Sequence, residues 1–229
     1  MKKPTRRQFL AATAPTLAAP AFLRGQNLNS RLQFAGIGAD GKGHGDIREM
    51  VGHGKADLVA LCDVDKRRFD RSSKLNPQAK QFQDYRELFS QLDGKIDAVT
   101  VSTPDHTHAV IAMEAMRRGI HVYCQKPLSH NAWEARQMAL MAKKSGVITR
   151  MGNQIHSAAG YRTAARLVQE GTIGKVKAIH AWVASTGHGH SGLIDRPTKN
   201  EPVPAELDWD LWIGPAPMRP YGHARAYHP

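Results

Sequence analysis

Short apolar runs alternate along this chain with segments of helical periodicity, beginning near residue 32. Such runs are typical of strands buried on both faces, and the segments between them repeat their apolar residues every three or four positions. This alternation predicts an α/β fold with a doubly wound parallel sheet. The predicted strands cover residues 32–37, 58–62, 81–82, 96–102, 120–124 and 147–151, and the predicted helices cover residues 65–75, 84–92, 108–118 and 131–144.

A glycine-rich turn follows the first predicted strand. Gly36, Gly38 and Gly41 have the spacing G-x-G-x-x-G. In this pattern the first glycine permits a tight turn, the second lets the backbone approach a pyrophosphate, and the third allows close packing of a helix. Asp63 follows the second strand, where a carboxylate can accept both hydroxyls of a ribose. Together these features predict a dinucleotide-binding Rossmann domain, and a glycine-rich surface turn is the alternative.

The first 30 residues predict an export signal. Residues 2–10 read KKPTRRQFL, and the paired Arg6 and Arg7 resemble a twin-arginine signal. A mildly apolar stretch too short to span a bilayer follows, and residues 19–21 have the small-x-small pattern of a processing site. We therefore expect the twin-arginine translocase as a partner and a periplasmic or otherwise exported protein. A basic arm that binds membranes or nucleic acid is the alternative.

Composition argues against nucleic-acid binding and against a disulfide. The 229 residues are 41% apolar, and the formal net charge is +12, of which residues 2–7 supply four charges. The other basic residues show no aromatic stacking pattern, so we predict a solvated basic surface and no nucleic-acid partner.

In a 3-2-1-4-5 strand order, Cys62 and Cys124 would lie three strand spacings apart, roughly 14 Å, which is too far for a disulfide.

Several motifs occur in one order along the chain. They are GIGADGKGH at 36–44, STPDHTH at 102–108, QKP at 125–127, MGNQ at 151–154 and GTIGKV at 171–176. Together they resemble the Gfo/Idh/MocA family of oxidoreductases, and LDWDLWIGP at 207–215 resembles its bacterial branch that often carries twin-arginine signals. The resemblance implies a Rossmann domain at residues 31–151, followed at residues 152–229 by the incomplete start of an α+β substrate domain. It also implies a sugar or polyol substrate and a homo-oligomer at full length.

Lys126 is the candidate catalytic residue. In the family, a Glu-Lys-Pro motif places its lysine beside the nicotinamide and the reacting hydroxyl, and here the motif reads Gln125, Lys126, Pro127. An ammonium there can stabilise developing alkoxide charge, or move a proton if burial lowers its pKa. Gln125 departs from the family pattern because it lacks the negative charge that would tune the lysine. A surface lysine before a proline turn is the alternative.

The resemblance implies further residues around the cofactor. These candidates are Thr103, Pro104, His108, Gln125 and Asn153. The alternatives are that His108 merely packs on the sheet and that Asn153 belongs to a polar turn. His156 could act as a helper acid or base, although a solvent-exposed histidine is more common. The two histidines within residues 188–190 lack a third ligand at ordinary spacing, so we predict no metal site.

The cofactor and the reaction follow from these residues, with alternatives. The carboxylate of Asp63 favours NAD over NADP, although Lys66 and Arg67 nearby could offset part of that preference. The leading function is an NAD(P)-dependent oxidoreductase that transfers a hydride. The alternatives are an NAD-dependent glycosidase that acts by oxidation and elimination, and a dinucleotide-binding module without catalysis.

The second half of the chain has few predicted elements. One helix at 158–170 and one strand at 176–183 precede a proline-rich stretch at 197–220, in which Trp209 and Trp212 are predicted to be packing residues. The second domain of the family needs several more strands and an acid and histidine constellation. We therefore expect the chain to be the N-terminal part of a longer enzyme.

Overall fold

Six parallel strands form a single sheet in the part of the chain that the computed structural model describes, residues 31–182 and 201–222. The strand order is β3-β2-β1-β4-β5-β6. The strands are β1 (Leu32–Ile37), β2 (Ala56–Cys62), β3 (Lys80–Phe82), β4 (Ala98–Val101), β5 (His121–Gln125) and β6 (Thr149–Gly152). The predicted doubly wound sheet is confirmed. The predicted export signal and the histidines at 188–190 lie outside the described residues.

Helices connect the strands and pack on both faces of the sheet. They are α1 (Lys42–Gly52), α2 (Phe69–Ser72), α3 (Tyr85–Gln91), α4 (His108–Arg117), α5 (Ala132–Ser145), α6 (Ala159–Gln169) and α7 (Trp209–Ile213). Ile47 of α1 and Phe69 of α2 pack with Phe34 and Leu58 on one face. Helices α3, α4 and α5 contribute to the core on the other face. Because each crossover returns the chain to the same end of the sheet, the carboxyl ends of all six strands lie along one edge.

The ends of α5 follow the capping rules. The side chain of Asn131 accepts a hydrogen bond from the backbone N–H of Glu134 at 2.9 Å. The Glu134 carboxylate reaches the N–H of His130 at 2.8 Å, one residue before the expected partner. Gly146 ends the helix in the left-handed conformation, with φ 68°. None of the described helices has the length and apolar character needed to cross a bilayer.

Two predicted elements differ in the structure. Residues 65–75 form the short helix α2 between two 3₁₀ turns, because Asp65 pairs with Leu207 in an isolated bridge and its side chain caps the first turn. Val176–Trp182 is not a strand, and the last residue of that prediction lies outside the described part. A single strand is unstable without a neighbour, and Ile179 is 85% exposed. As predicted, Cys62 and Cys124 form no disulfide; both are buried and free.

The segment 201–222 packs against the first domain beside the end of β2. The backbone N–H of Asp208 donates to the carbonyl of Val64 at 2.9 Å. Trp209 is 9% exposed, and its ring stacks on that of Trp212 with the centroids 4.8 Å apart. Both tryptophans therefore lie in packing contacts, as expected from the sequence.

Candidate functional site

The turn between β1 and α1 is held against the end of β2 by hydrogen bonds. The backbone N–H of Gly38 donates to the carbonyl of Cys62 at 2.8 Å. The next amide, that of Ala39, donates to the Asp63 carboxylate at 2.9 Å. These contacts place the glycine turn and the predicted ribose ligand side by side at the carboxyl edge of the sheet.

The first two glycines of the turn avoid different steric clashes. A Cβ at Gly36 would lie 2.4 Å from the side chain of Ile47, so this glycine lets α1 pack closely on β1. Gly38 has φ +87°, and a Cβ there would lie 2.4 Å from the carbonyl oxygen of Ser102. The tight turn therefore depends on Gly38, whereas the sequence pattern had assigned it to Gly36.

The close approach of the helix to the turn also depends on a glycine that the pattern did not include. Gly41 has φ +54° at the N-terminus of α1, and a Cβ there would meet open space. At Gly43, by contrast, a Cβ would lie 1.9 Å from the carbonyl oxygen of Gly38. The packing role expected of Gly41 is therefore performed by Gly43, which the glycine-rich run 36–45 could have suggested.

Asp63 is the acid at the end of β2. Its carboxylate accepts hydrogen bonds from the amides of Ala39 at 2.9 Å and Asp65 at 3.1 Å. Burial raises the pKa of Asp63, and the two amides oppose that rise. Each carboxylate oxygen has two lone pairs, so the group can still accept from ribose hydroxyls. Together with a cradle of glycines and the N-terminus of an eleven-residue helix, these residues fit a dinucleotide.

Three basic residues after β2, Arg67, Arg68 and Arg71, are paired with acids. The Arg67 guanidinium makes two hydrogen bonds to the Asp65 carboxylate, at 2.7 and 2.8 Å. Arg68 and Arg71 both reach the Asp40 carboxylate, and the pKa of Asp40 is lowered by the Gly41 amide and by these two cations. The positive charge that could have favoured the 2′-phosphate of NADP is thus partly compensated.

The candidates after β4 surround a buried histidine. Thr103 and Pro104 are partly exposed at the edge of the sheet, whereas His108 is only 1% exposed. The two ring nitrogens of His108 lie 2.7 Å from the carbonyl oxygen of Pro127 and 2.8 Å from that of Thr103. His108 therefore ties the loop after β4 to the loop after β5. Its direct contact with a cofactor stays a prediction.

The candidates after β5 and β6 lie beside each other. Gln125 pairs with Gly152 in the sheet and is 4% exposed, and its side chain donates to Asp46 at 2.8 Å. Lys126 is exposed in the described chain, whereas the alternative role as a proton carrier required a buried ammonium. Asn153 directly follows β6. The structure thus brings the glycine turn, Asp63, Thr103, Lys126 and Asn153 to one edge of the sheet.

Asp46 is the site residue that sequence reasoning missed. It is 7% exposed, and its carboxylate contacts the ammonium of Lys42, the hydroxyl of Ser102 and the amide of Gln125. Its position could have indicated this role, because Asp46 lies on the buried face of α1, one residue before Ile47. An acid on an apolar helix face requires partners.

The remaining histidine candidate has a different environment. His156 is exposed, and its ring centroid lies 4.8 Å from that of Tyr161. Its role as a helper acid or base stays a prediction. Among residues 31–182 and 201–222, no group of three or more His, Cys, Asp or Glu side chains could hold a metal.

Comparison with known proteins identifies the family. A family model described as "Oxidoreductase family, NAD-binding Rossmann fold" matches residues 31–153, which is more than half of the chain. The chain belongs to the Gfo/Idh/MocA oxidoreductase family. A second model of this family, described as its C-terminal alpha/beta domain, matches residues 162–229. The first domain is thus an NAD-binding Rossmann domain, and the predicted cofactor NAD is confirmed.

Three relatives show the extent of the similarity. The chain is 27% identical over 179 residues to the myo-inositol 2-dehydrogenase of Thermotoga maritima, covering 78% of this chain and 48% of that protein. The crystal structure of myo-inositol 2-dehydrogenase from Lactobacillus plantarum matches with a TM-score of 0.60 and 27% identity, covering 64% of this chain and 43% of that one. GenD2 from gentamicin A biosynthesis, crystallised in complex with NAD, matches with a TM-score of 0.57 and 26% identity, covering 65% and 42%. The chain spans less than half the length of these relatives.

Proposed function

We propose that this protein is an NAD-dependent oxidoreductase that transfers a hydride between the nicotinamide and a carbon of a sugar or polyol that bears a hydroxyl. The observation that carries the proposal is the position of Lys126. It follows β5 at the same edge of the sheet as the glycine turn and Asp63. In an open α/β sheet, ligands bind in the crevice at this edge.

In this proposal the chain holds the cofactor by its backbone and one acid. The turn that Gly36, Gly38 and Gly41 permit brings the backbone amides at the N-terminus of α1 to the pyrophosphate, and Asp63 accepts the ribose hydroxyls. NAD, when bound, supplies the hydride acceptor or donor. The other proposed contacts are those of Thr103, Pro104, His108, Gln125 and Asn153.

Lys126 is proposed to act on the reacting oxygen of the substrate. Its ammonium donates a hydrogen bond to that oxygen and stabilises the negative charge that develops as the hydroxyl proton leaves. Because the side chain is exposed in the described chain, the proton can pass to water.

The substrate class rests on the relatives. Two of the matched proteins are named myo-inositol 2-dehydrogenases, and inositol is a cyclic polyol. We infer a sugar or polyol for this protein by analogy. We also propose that the protein is exported by the twin-arginine translocase and that it is a homo-oligomer at full length.

The test is an oxidation assay on the full-length protein. NADH formation is followed by absorbance with myo-inositol, other inositols and aldoses as substrates. Lys126→Met should lower kcat by about a hundredfold or more, which is the usual loss for a positioned acid, base or charge stabiliser, and should leave NAD affinity nearly unchanged. Lys144→Met, an exposed lysine in the last turn of α5, is the control and should keep full activity.

Two results would contradict the proposal. Undiminished turnover by Lys126→Met would exclude the lysine from the mechanism. Release of a glycoside's leaving group without net NADH formation would favour the glycosidase alternative.

A further inference from the structure

The Asp46 carboxylate joins three parts of the site. One of its oxygens accepts hydrogen bonds from the Ser102 hydroxyl and from the Gln125 side-chain amide, both at 2.8 Å. The other oxygen contacts the ammonium of Lys42. Ser102 follows β4 and Gln125 ends β5, so one buried acid on α1 connects the ends of both strands.

These contacts determine which side chain can occupy position 125. A carboxylate only accepts hydrogen bonds, so the partner of Asp46 must donate. The side chain of Gln125 packs on Gly152, where a Cβ would lie only 2.6 Å from its amide group, so the glycine leaves the room that this pairing needs. A glutamate at position 125 would place a second carboxylate against Asp46 in a buried site.

We propose that Asp46 is a positioning residue for Lys126. It holds Gln125, the residue before Lys126, by accepting a hydrogen bond from the side-chain amide of Gln125. On the other side, the carbonyl of Pro127 is held by His108 at 2.7 Å. The lysine therefore projects from a backbone that is anchored at both neighbouring residues. This inference rests on the proposed function of Lys126.

Few other ionisable groups lie around this acid. Lys42 belongs to the same helix and pairs with Asp46. On β5, burial and then the charge of Asp46 raise the pKa of Tyr123, which stays neutral between pH 5 and 8. Arg150 on β6 acts on Tyr123 in the opposite direction. Ser102, the partner after β4, does not titrate in this range.

The first experiment measures the thermal unfolding midpoint of Gln125→Glu between pH 5 and pH 8. Two buried carboxylates in contact retain a proton in the folded state that the unfolded chain releases near pH 4. The folded variant therefore loses stability as the pH rises. We expect its midpoint to fall below that of the unaltered protein by about 5 °C at pH 8 and by less at pH 5. Gln81→Glu, on the exposed side of strand β3, is the control and should show no such trend.

The second variant exchanges the two groups. In Asp46→Asn with Gln125→Glu, the amide and the carboxylate change places and the donor–acceptor pair is restored. We expect most of the deficit at pH 8 to disappear. Two results would contradict the hydrogen bond between Gln125 and Asp46. One is a double variant that is no more stable than Gln125→Glu, and the other is a loss of stability in Gln125→Glu that does not grow with pH.

Positioning is tested separately from stability. In the full-length protein, Gln125→Glu should lower kcat at least tenfold, and the double variant should recover kcat to within about threefold. Independently of turnover, the NMR signal of ¹³C-dimethylated Lys126, assigned with Lys126→Arg, should shift in Gln125→Glu and return in the double variant. A stability effect with an unmoved Lys126 signal would show that Asp46 is structural only. Absence of turnover in the unaltered protein would instead contradict the proposed function.

Discussion

Asp63 shows how a single side chain is prepared for two tasks. Its carboxylate accepts hydrogen bonds from the amides of Ala39 and Asp65 and so closes the glycine turn, and we propose that it also binds the ribose. Burial raises its pKa above the ordinary value of 3.8, although both amides favour the ionised form. Desolvation is therefore the larger effect at this residue.

A pH dependence of NAD binding follows from the raised pKa of Asp63. Only the ionised carboxylate accepts both ribose hydroxyls, so the affinity for NAD should fall as the pH decreases through a value above 3.8. Hydrogen bonds to a charged group contribute about 1.5–3 kcal/mol, so the expected loss is about tenfold or more. Calorimetric titrations of the protein with NAD, from pH 7.5 downward, measure this loss of affinity.

The control for this prediction is Asp63→Asn. The variant should bind NAD more weakly at pH 7.5 and show no further loss over the same range. An affinity of the unaltered, folded protein that stays constant down to pH 4 would contradict the assignment of Asp63.

At the scale of elements, the approach of α1 to the glycine turn depends on which way the glycines of the helix face. Gly43 faces the carbonyl of Gly38, whereas Gly45 in the same helix has no atom within 4 Å of the place where a Cβ would stand. Two glycines only two residues apart thus have opposite environments. Spacing alone could not distinguish them, because the direction in which each faces depends on how the helix is rotated against the sheet.

We expect Gly43→Ala and Gly45→Ala to change stability in opposite directions. The first forces the helix away from the turn and should cost about 1–3 kcal/mol or more, as overpacking does. The second should stabilise by about 0.5–1 kcal/mol, because alanine loses less backbone entropy in a helix. Urea denaturation measures both. A Gly43→Ala variant as stable as the unaltered protein would rule out the close contact.

For the whole molecule, the chain returns to its first domain late in the sequence. Residues 201–222 lie beside the end of β2, where the side chain of Gln83 donates to the carbonyl of Glu206 at 3.1 Å. Periodicity did not predict this contact, since the stretch is proline-rich and has one short helix, α7. Trp212 contacts the domain through the ring of His106, with the two centroids 5.2 Å apart.

Export is the prediction that concerns the protein as a whole. If Arg6 and Arg7 form the translocase signal, changing both to lysine should retain a reporter fusion in the cytoplasm. The matched control changes Lys2 and Lys3 to arginine, which keeps the charge and should leave export intact. Cell fractionation measures both, and continued export of the Arg6 and Arg7 variant by the twin-arginine route would contradict the assignment.

The sequence by itself determined the sheet and the edge at which the candidate site residues lie. Strand and helix periods are local properties, so the alternation from Leu32 onward was sufficient for a parallel, doubly wound sheet. Since every right-handed crossover returns the chain to the same end of the sheet, Gly36, Asp63, Thr103 and Lys126 had to meet at the carboxyl edge. This conclusion needed no knowledge of individual contacts.

Only the tertiary structure decided which side chains hold that edge together. Asp46 joins Ser102, 56 residues away, and Gln125, 79 residues away. Likewise, His108 bridges two loops, and residues 176–182 remain without a partner strand in the described chain. These long-range contacts depend on how the helices are rotated against the sheet and on how the loops close. The local periodicity of the sequence carries no information about either.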